Sequence, residues 1–148
     1  MRCYHIYSIS EDIANFFYGR ERLFYNLFHE HQYAPSDLKQ IIEQQIQYIT
    51  LPFPLLHLHR MISQRLSKRS DYVSEGNVYW IGREDESNRA QLEINKRKLL
   101  LYAWGSYDAE SFFFEALRQM DGRLLAIDLQ NERYGWLKPL KERNYIIT

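Results

Sequence analysis

LLLYAWGSYDAESFFFEALRQMDGRLLAI, residues 99–127, changes its hydrophobic period twice, and those changes decide the fold. Leu99–Trp104 is a short apolar run of strand length. From Asp108 to Met120 the apolar residues Ala109, Phe112, Phe113, Ala116, Leu117 and Met120 fall at i, i+3, i+4, i+7, i+8 and i+11, the spacing of one helix face. Asp108 and Glu110 suit the positive end of that helix. Leu124–Ile127 is then a continuous apolar run, the pattern of a strand covered on both faces. Strand, helix and buried strand in this order predict one βαβ crossover over Leu99–Ile127, with its two strands parallel.

Upstream of the crossover, Leu92 and Ile94 alternate with Gln91 and Glu93, and Asn95–Lys98 is polar enough for a hairpin turn into Leu99. Val78–Ile81 is a further strand candidate, and Arg83–Arg89 reads as a charged loop. Lys68–Asn77 is polar and reads as a loop separating a helix-rich part, residues 1–67, from a strand-rich part, residues 77–148. Neither part could bury a large core alone, so 1–148 is expected to form one domain. Cys3–Ser10 is a strand of β-branched and aromatic residues. Three helices follow it. Ser10 is the expected cap of the first and Gly19 its stop, and the second continues from Glu21 to His31. The third begins at Ser36 and carries Leu38, Ile41, Ile42, Ile46 and Ile49 on one side. Thr50-Leu51-Pro52-Phe53-Pro54 is a stiff elbow, and Pro54 opens a helix with Leu55, Leu58, Ile62 and Leu66 as its expected buried stripe. Arg133-Tyr134-Gly135-Trp136-Leu137 reads as a bend packed on the body. The fold class is α/β in the α+β sense: a single mixed, mostly antiparallel sheet packed with helices.

Ser10–Phe28, SEDIANFFYGRERLFYNLF, has more apolar surface than one contact needs. Ile13, Ala14, Phe16, Phe17 and Tyr18 span roughly 200° at about 100° per residue, about twice the stripe that faces a core. Glu11, Asp12 and Asn15 argue against full burial. Such a segment either fills a corner of the core or offers an aromatic surface to a partner.

Composition narrows the function. The 148 residues hold 19 Lys and Arg against 19 Asp and Glu, so there is no net basic field to attract nucleic acid. One cysteine, Cys3, excludes an internal disulfide and fits a reducing cytoplasm. No apolar run follows Met1 and none approaches the ~20 residues of a membrane span, so a cytoplasmic protein is expected.

Candidate chemistry is sparse. His29-Glu30-His31 and His57-Leu58-His59 would chelate a metal on a strand, but on helices their rings point about 200° apart. Cys3 lacks a neighbouring base. Gly105-Ser106-Tyr107-Asp108 joins a strand to a helix where α/β proteins often hold ligands, without a nucleophile elbow or a phosphate loop. It stands as the alternative reading, a small-molecule-binding or catalytic site. Lys96-Arg97-Lys98, and Lys138 with Lys141 and Arg143, read as solvated turns. No catalytic residue, cofactor or metal is expected.

Several segments in order carry a resemblance. Gly19-Arg20-Glu21 is followed by Gln45–Thr50, Pro52 and Pro54 and then Leu56–His59. Tyr107–Glu110 comes next, with Phe113–Arg118, Leu125-Ala126, Asp128, Arg133–Leu137, Pro139 and Lys141–Asn144 after it. Together they resemble the sporulation inhibitor of replication (SirA) family of endospore-forming bacteria, from the first strand to near the C-terminus. The resemblance implies a non-enzymatic regulator that binds the N-terminal domain of the replication initiator DnaA as a monomer in a 1:1 complex, with no direct nucleic-acid or membrane contact. It implies a contact surface on the first helix and the end of the glutamine-rich helix, which maps to Ile13, Phe17 and Gln47, with Phe16 beside them. The family pattern leads one to expect a larger aromatic at Ile13 and a tyrosine at Phe17. An apolar contact survives both changes, whereas a hydrogen bond from a tyrosine hydroxyl does not.

Overall fold

The structure is a computed structural model and describes residues 1–82, 87–120 and 122–138. Its elements in chain order are β1 (Arg2–Ile9), α1 (Glu11–Phe16), α2 (Arg22–Tyr33), α3 (Ser36–Ile49), β2 (Thr50–Leu51) and α4 (Leu55–Leu66). Then come β3 (Tyr72–Glu75), β4 (Val78–Ile81), β5 (Arg89–Ile94), β6 (Leu99–Trp104), α5 (Asp108–Leu117), β7 (Arg123–Asp128) and β8 (Arg133–Trp136). The strands make one sheet in the order β3-β4-β5-β6-β1-β7-β8, with β2 on the end of β1.

β1 sits between β6 and β7 and is antiparallel to both. β6 and β7 therefore run parallel to each other and α5 joins them, as the hydrophobic periods of 99–127 predict. The strands of this crossover are separated by β1, so every pairing among the described residues is antiparallel. β1 comes from the helix-rich part and its two neighbours from the strand-rich part.

Alternation along the strands divides the core into two layers. Tyr4 and Ile6 of β1 face α4 and α5, packing with Leu58, Ile62, Phe113 and Leu117. Ile9 faces the other way, with Phe24, Tyr25 and Phe28 of α2. β7 contributes Leu124 and Ala126 to the first layer and Leu125 and Ile127 to the second, so it is covered on both faces as its unbroken apolar run requires.

Several local expectations need correction. Lys68–Asn77 is not simply a loop, because Tyr72–Glu75 forms the edge strand β3 against β4 through a two-residue turn at Gly76-Asn77. All four of its residues are exposed, so no alternation of apolar residues marks it. Arg133–Trp136 is not a bend. It pairs with β7 and covers an edge that would otherwise leave main-chain groups without partners. Ser36 is the first residue of α3 rather than its cap, and Pro35 holds the cap position in extended geometry. Pro54 likewise precedes α4 rather than opening it at the first helical position, its carbonyl accepting from the Leu58 N–H at 2.9 Å. Of the loop expected at Arg83–Arg89, residues 83–86 lie outside the described residues and Arg89 begins β5. Pro139 and Lys141–Asn144 also lie outside the described residues.

His5, on β1, shows how the second layer depends on pH. Burial, and then the charge of Lys98, hold its imidazole down at about 4 from an ordinary value of 6.5. An unfolded chain takes up a proton near pH 6.5 that the folded chain refuses until about pH 4. The stability tied to His5 is thus fully present above about pH 6.5 and is lost as the pH falls towards 4. Thermal melts across this window should show a slope that His5→Gln flattens; an unchanged slope in the variant would assign it to other groups.

Candidate functional site

The site is built from the exit of β1. Ile9 is buried, Ser10 turns the chain in extended geometry, and α1 begins at Glu11. Ser10 holds the cap position without a side-chain cap bond. α1 is only six residues long, and Phe17, Tyr18 and Gly19 belong to the turn after it. The apolar arc is therefore split between a helix and a turn. Ala14 is fully buried, Ile13 and Phe17 are half-buried against the second layer, and Phe16 is 67% exposed.

Phe16 and Phe17 are held in place by their neighbours. Their rings meet edge to face with centroids 4.9 Å apart, and Phe17 stands edge-on to Phe24 at 5.3 Å. The Arg20 guanidinium lies 5.3 Å from the Phe16 ring and 5.5 Å from the Phe17 ring, and Arg20 donates to the Phe16 carbonyl at 2.8 Å. Phe24 continues the aromatic contact to Trp136, whose Nε1 donates to Glu21 at 3.2 Å. Glu21 also accepts from the Gly19 N–H at 3.0 Å. An exposed aromatic fixed in this way loses little conformational freedom when it is covered, which is what an interface anchor needs.

The end of α3 joins this surface. The Ser10 N–H donates to the Ile49 carbonyl at 3.2 Å, tying the start of α1 to the last turn of α3, where Gln47 is exposed. Gln47 lines a cleft with Glu43 and Ile46 in which Ile13, Phe16 and Phe17 take no part, so the structure does not bring it together with them there.

Three further apolar residues of α3 lie at the surface. Leu38 and Ile41, read as part of a buried stripe, are exposed, as is Tyr48 at 80%. Only Ile42 of α3 is fully buried, with Ile46 and Ile49 half-buried. The stripe was wider than the contact α3 makes, and this surplus was the available signal. Leu27 of α2 and Ile41, Gln45 and Tyr48 of α3 line a shallow apolar groove.

Both His-x-His pairs lie on helices, α2 and α4, and His59 Nδ1 is 2.8 Å from the Tyr79 hydroxyl. Among the described residues no three His, Cys, Asp or Glu gather as a metal site. Cys3 is a half-buried free thiol whose pKa burial pushes up, away from nucleophilic character. The Gly105–Asp108 turn is closed by its own neighbours. Arg2 donates to the Gly105 and Ser106 carbonyls at 2.8 and 3.0 Å, and Asn88 Oδ1 takes the Ser106 N–H at 2.7 Å. Among the described residues no helix is long and apolar enough to cross a membrane.

The model of the family described as sporulation inhibitor of replication protein SirA matches residues 2–141. A relative, the sporulation inhibitor of replication protein SirA of Bacillus subtilis (strain 168), is 37% identical over 147 residues, covering 98% of this chain and 99% of that protein. With the match running through both core layers and the aromatic face alike, the chain belongs to the SirA family of sporulation inhibitors of replication.

Proposed function

We propose that this chain restrains the start of chromosome replication during sporulation, in the cytoplasm and without catalysis, by binding the N-terminal domain of the initiator DnaA as a monomer in a 1:1 complex. The contact centres on Ile13, Phe16 and Phe17, with Gln47 as a polar contact at the border. The observation that carries this reading is Phe16: a large aromatic, 67% exposed, braced by Arg20 and Phe17 rather than left mobile. Ile13 and Phe17 are half-buried at its base and supply apolar area next to it. Phe17 lacks a hydroxyl, so it contributes area and no hydrogen bond.

Calorimetric titration of the intact chain with the isolated DnaA N-terminal domain tests the proposal. Saturable 1:1 binding is expected, weakened by about 2 kcal/mol, roughly 30-fold, in Phe16→Ala. The melting curve of that variant should match the parent, because Phe16 buries little of itself in the fold. Phe17→Ala should weaken binding and also lower stability, since Phe17 packs on Phe24. Full-strength binding by a folded Phe16→Ala protein would move the contact off this face.

A further inference from the structure

We propose that the cleft between the α2–α3 pair and the sheet binds a small organic anion, a carboxylate or phosphate carried on a flat apolar body. The cleft has a volume of about 430 Å³, within the usual range for small-molecule sites.

A break in strand pairing creates it. On one side β1 pairs with β6 as far as Ile6 and with β2 from Ser8 onward. Tyr7 falls between the two, and the cleft opens at His5, Tyr7 and Thr50. The turn between β5 and β6 closes the far side: the Phe53 N–H donates to the Lys96 carbonyl at 2.7 Å and Arg97 donates to the Thr50 carbonyl at 3.2 Å. These bonds hold Arg97 and Lys98 at the rim.

The lining has two halves that ask for different parts of one ligand. The floor is apolar and flat, with the Tyr7 and Phe28 rings stacked at 4.1 Å and 15°, beside Ile46 and Ile127. The rim is cationic. Lys39, Arg97 and Lys98 face a single carboxylate, Glu43, in a chain whose 19 cationic and 19 anionic side chains balance overall. Among the described residues neither Lys39 nor Lys98 makes an ion pair or a side-chain hydrogen bond. Two imidazoles add polar nitrogens. His31 Nε2 is buried without a hydrogen-bond partner, its approach to Glu43 being 3.7 Å, beyond hydrogen-bond length. His5 also lines the cleft without a hydrogen bond among the described residues. A buried nitrogen without a hydrogen bond, beside ammonium groups without ion pairs, suits an anionic head group, and the stacked rings suit its body. The site meets the proposed DnaA contact only at Gln47, which lines the cleft, whereas Ile13, Phe16 and Phe17 do not.

The test is an NMR titration of the full chain with naphthalene-2-carboxylate, with phenyl phosphate and with the neutral naphthalene-2-carboxamide. At least one anion should give saturable shifts at the Tyr7, His31, Gln47 and Thr50 amides, and the tighter of the two identifies the preferred head group. Lys98→Gln and Lys39→Gln should each weaken that anion about 10-fold with the melting temperature unchanged. Equal affinity for the carboxamide, affinity untouched in both lysine variants, or no saturable shift with either anion would overturn the proposal.

Discussion

Glu110→Ala is expected to lower folding stability by about 3–5 kcal/mol, the loss typical of leaving one partner of a buried ion pair behind. Glu110 is 1% exposed on the inner face of α5. Arg2 Nε donates to both of its carboxylate oxygens at 2.9 Å, and Arg2 Nη2 and the Tyr4 hydroxyl close on it as well. Burial, then the hydrogen bond to this carboxylate, raises the Tyr4 hydroxyl to about 12, so it stays a donor at any working pH. The carboxylate thus pins the first residues of β1 to the first turn of α5. Its removal would leave a mostly enclosed guanidinium without its counter-charge, holding only the Gly105 and Ser106 carbonyls, and a phenol whose remaining partner is Arg133 at 3.3 Å. Glu110→Gln keeps the shape and some acceptor capacity, and should lose clearly less than Glu110→Ala. Urea unfolding of both variants at neutral pH measures the difference. A loss below about 1 kcal/mol in Glu110→Ala would mean that water reaches Arg2 and satisfies it.

Glu110 also shows where sequence reading stops. It was legible as an acidic residue in the first turn of a helix, favourable for the dipole. Its position three before Phe113 and seven before Leu117 puts it on the buried face, and that spacing was visible too, but the partner was not. Arg2 lies 108 residues away, and nothing local announces a contact at that distance. The same division runs through the fold. Leu92 and Ile94 alternate with Gln91 and Glu93 and marked β5, and the 3.6-residue period marked α5. β3 and β8 were hidden because edge strands need neither alternation nor burial, only a neighbour with free main-chain groups. That β1 would lie between β6 and β7 is a fact of pairing between segments about 100 residues apart. At the candidate site the aromatic surplus of Ile13–Tyr18 was legible. The exposed flank of α3 was not, because Leu38 and Ile41 carry the same periodicity whether or not anything covers them.

Gly105→Ala should cost about 3 kcal/mol, and Gly19→Ala only about 1 kcal/mol. The pair separates two effects usually confounded at glycines. Both residues hold positive φ, +86° at Gly105 and +83° at Gly19, so alanine meets nearly the same backbone penalty at each. Their surroundings differ. A Cβ on Gly19 would have nothing within 4 Å, whereas one on Gly105 would stand 2.3 Å from both the Ser87 carbonyl oxygen and Asn88 Oδ1. The second of these is the atom that accepts the Ser106 N–H, so relief of the clash must break the bond that caps the turn. It would also disturb the Gly105 and Ser106 carbonyls that receive Arg2, spreading the damage towards Glu110. Chemical denaturation of the two single variants gives the comparison directly. Equal losses would mean that Ser87 and Asn88 move aside freely. The turn would then be an open, deformable loop with room for a ligand. A loss at Gly105 exceeding that at Gly19 by 2 kcal/mol or so is the signature of a turn filled by its own chain, whose task is to hold β6, α5 and the start of β1 in register.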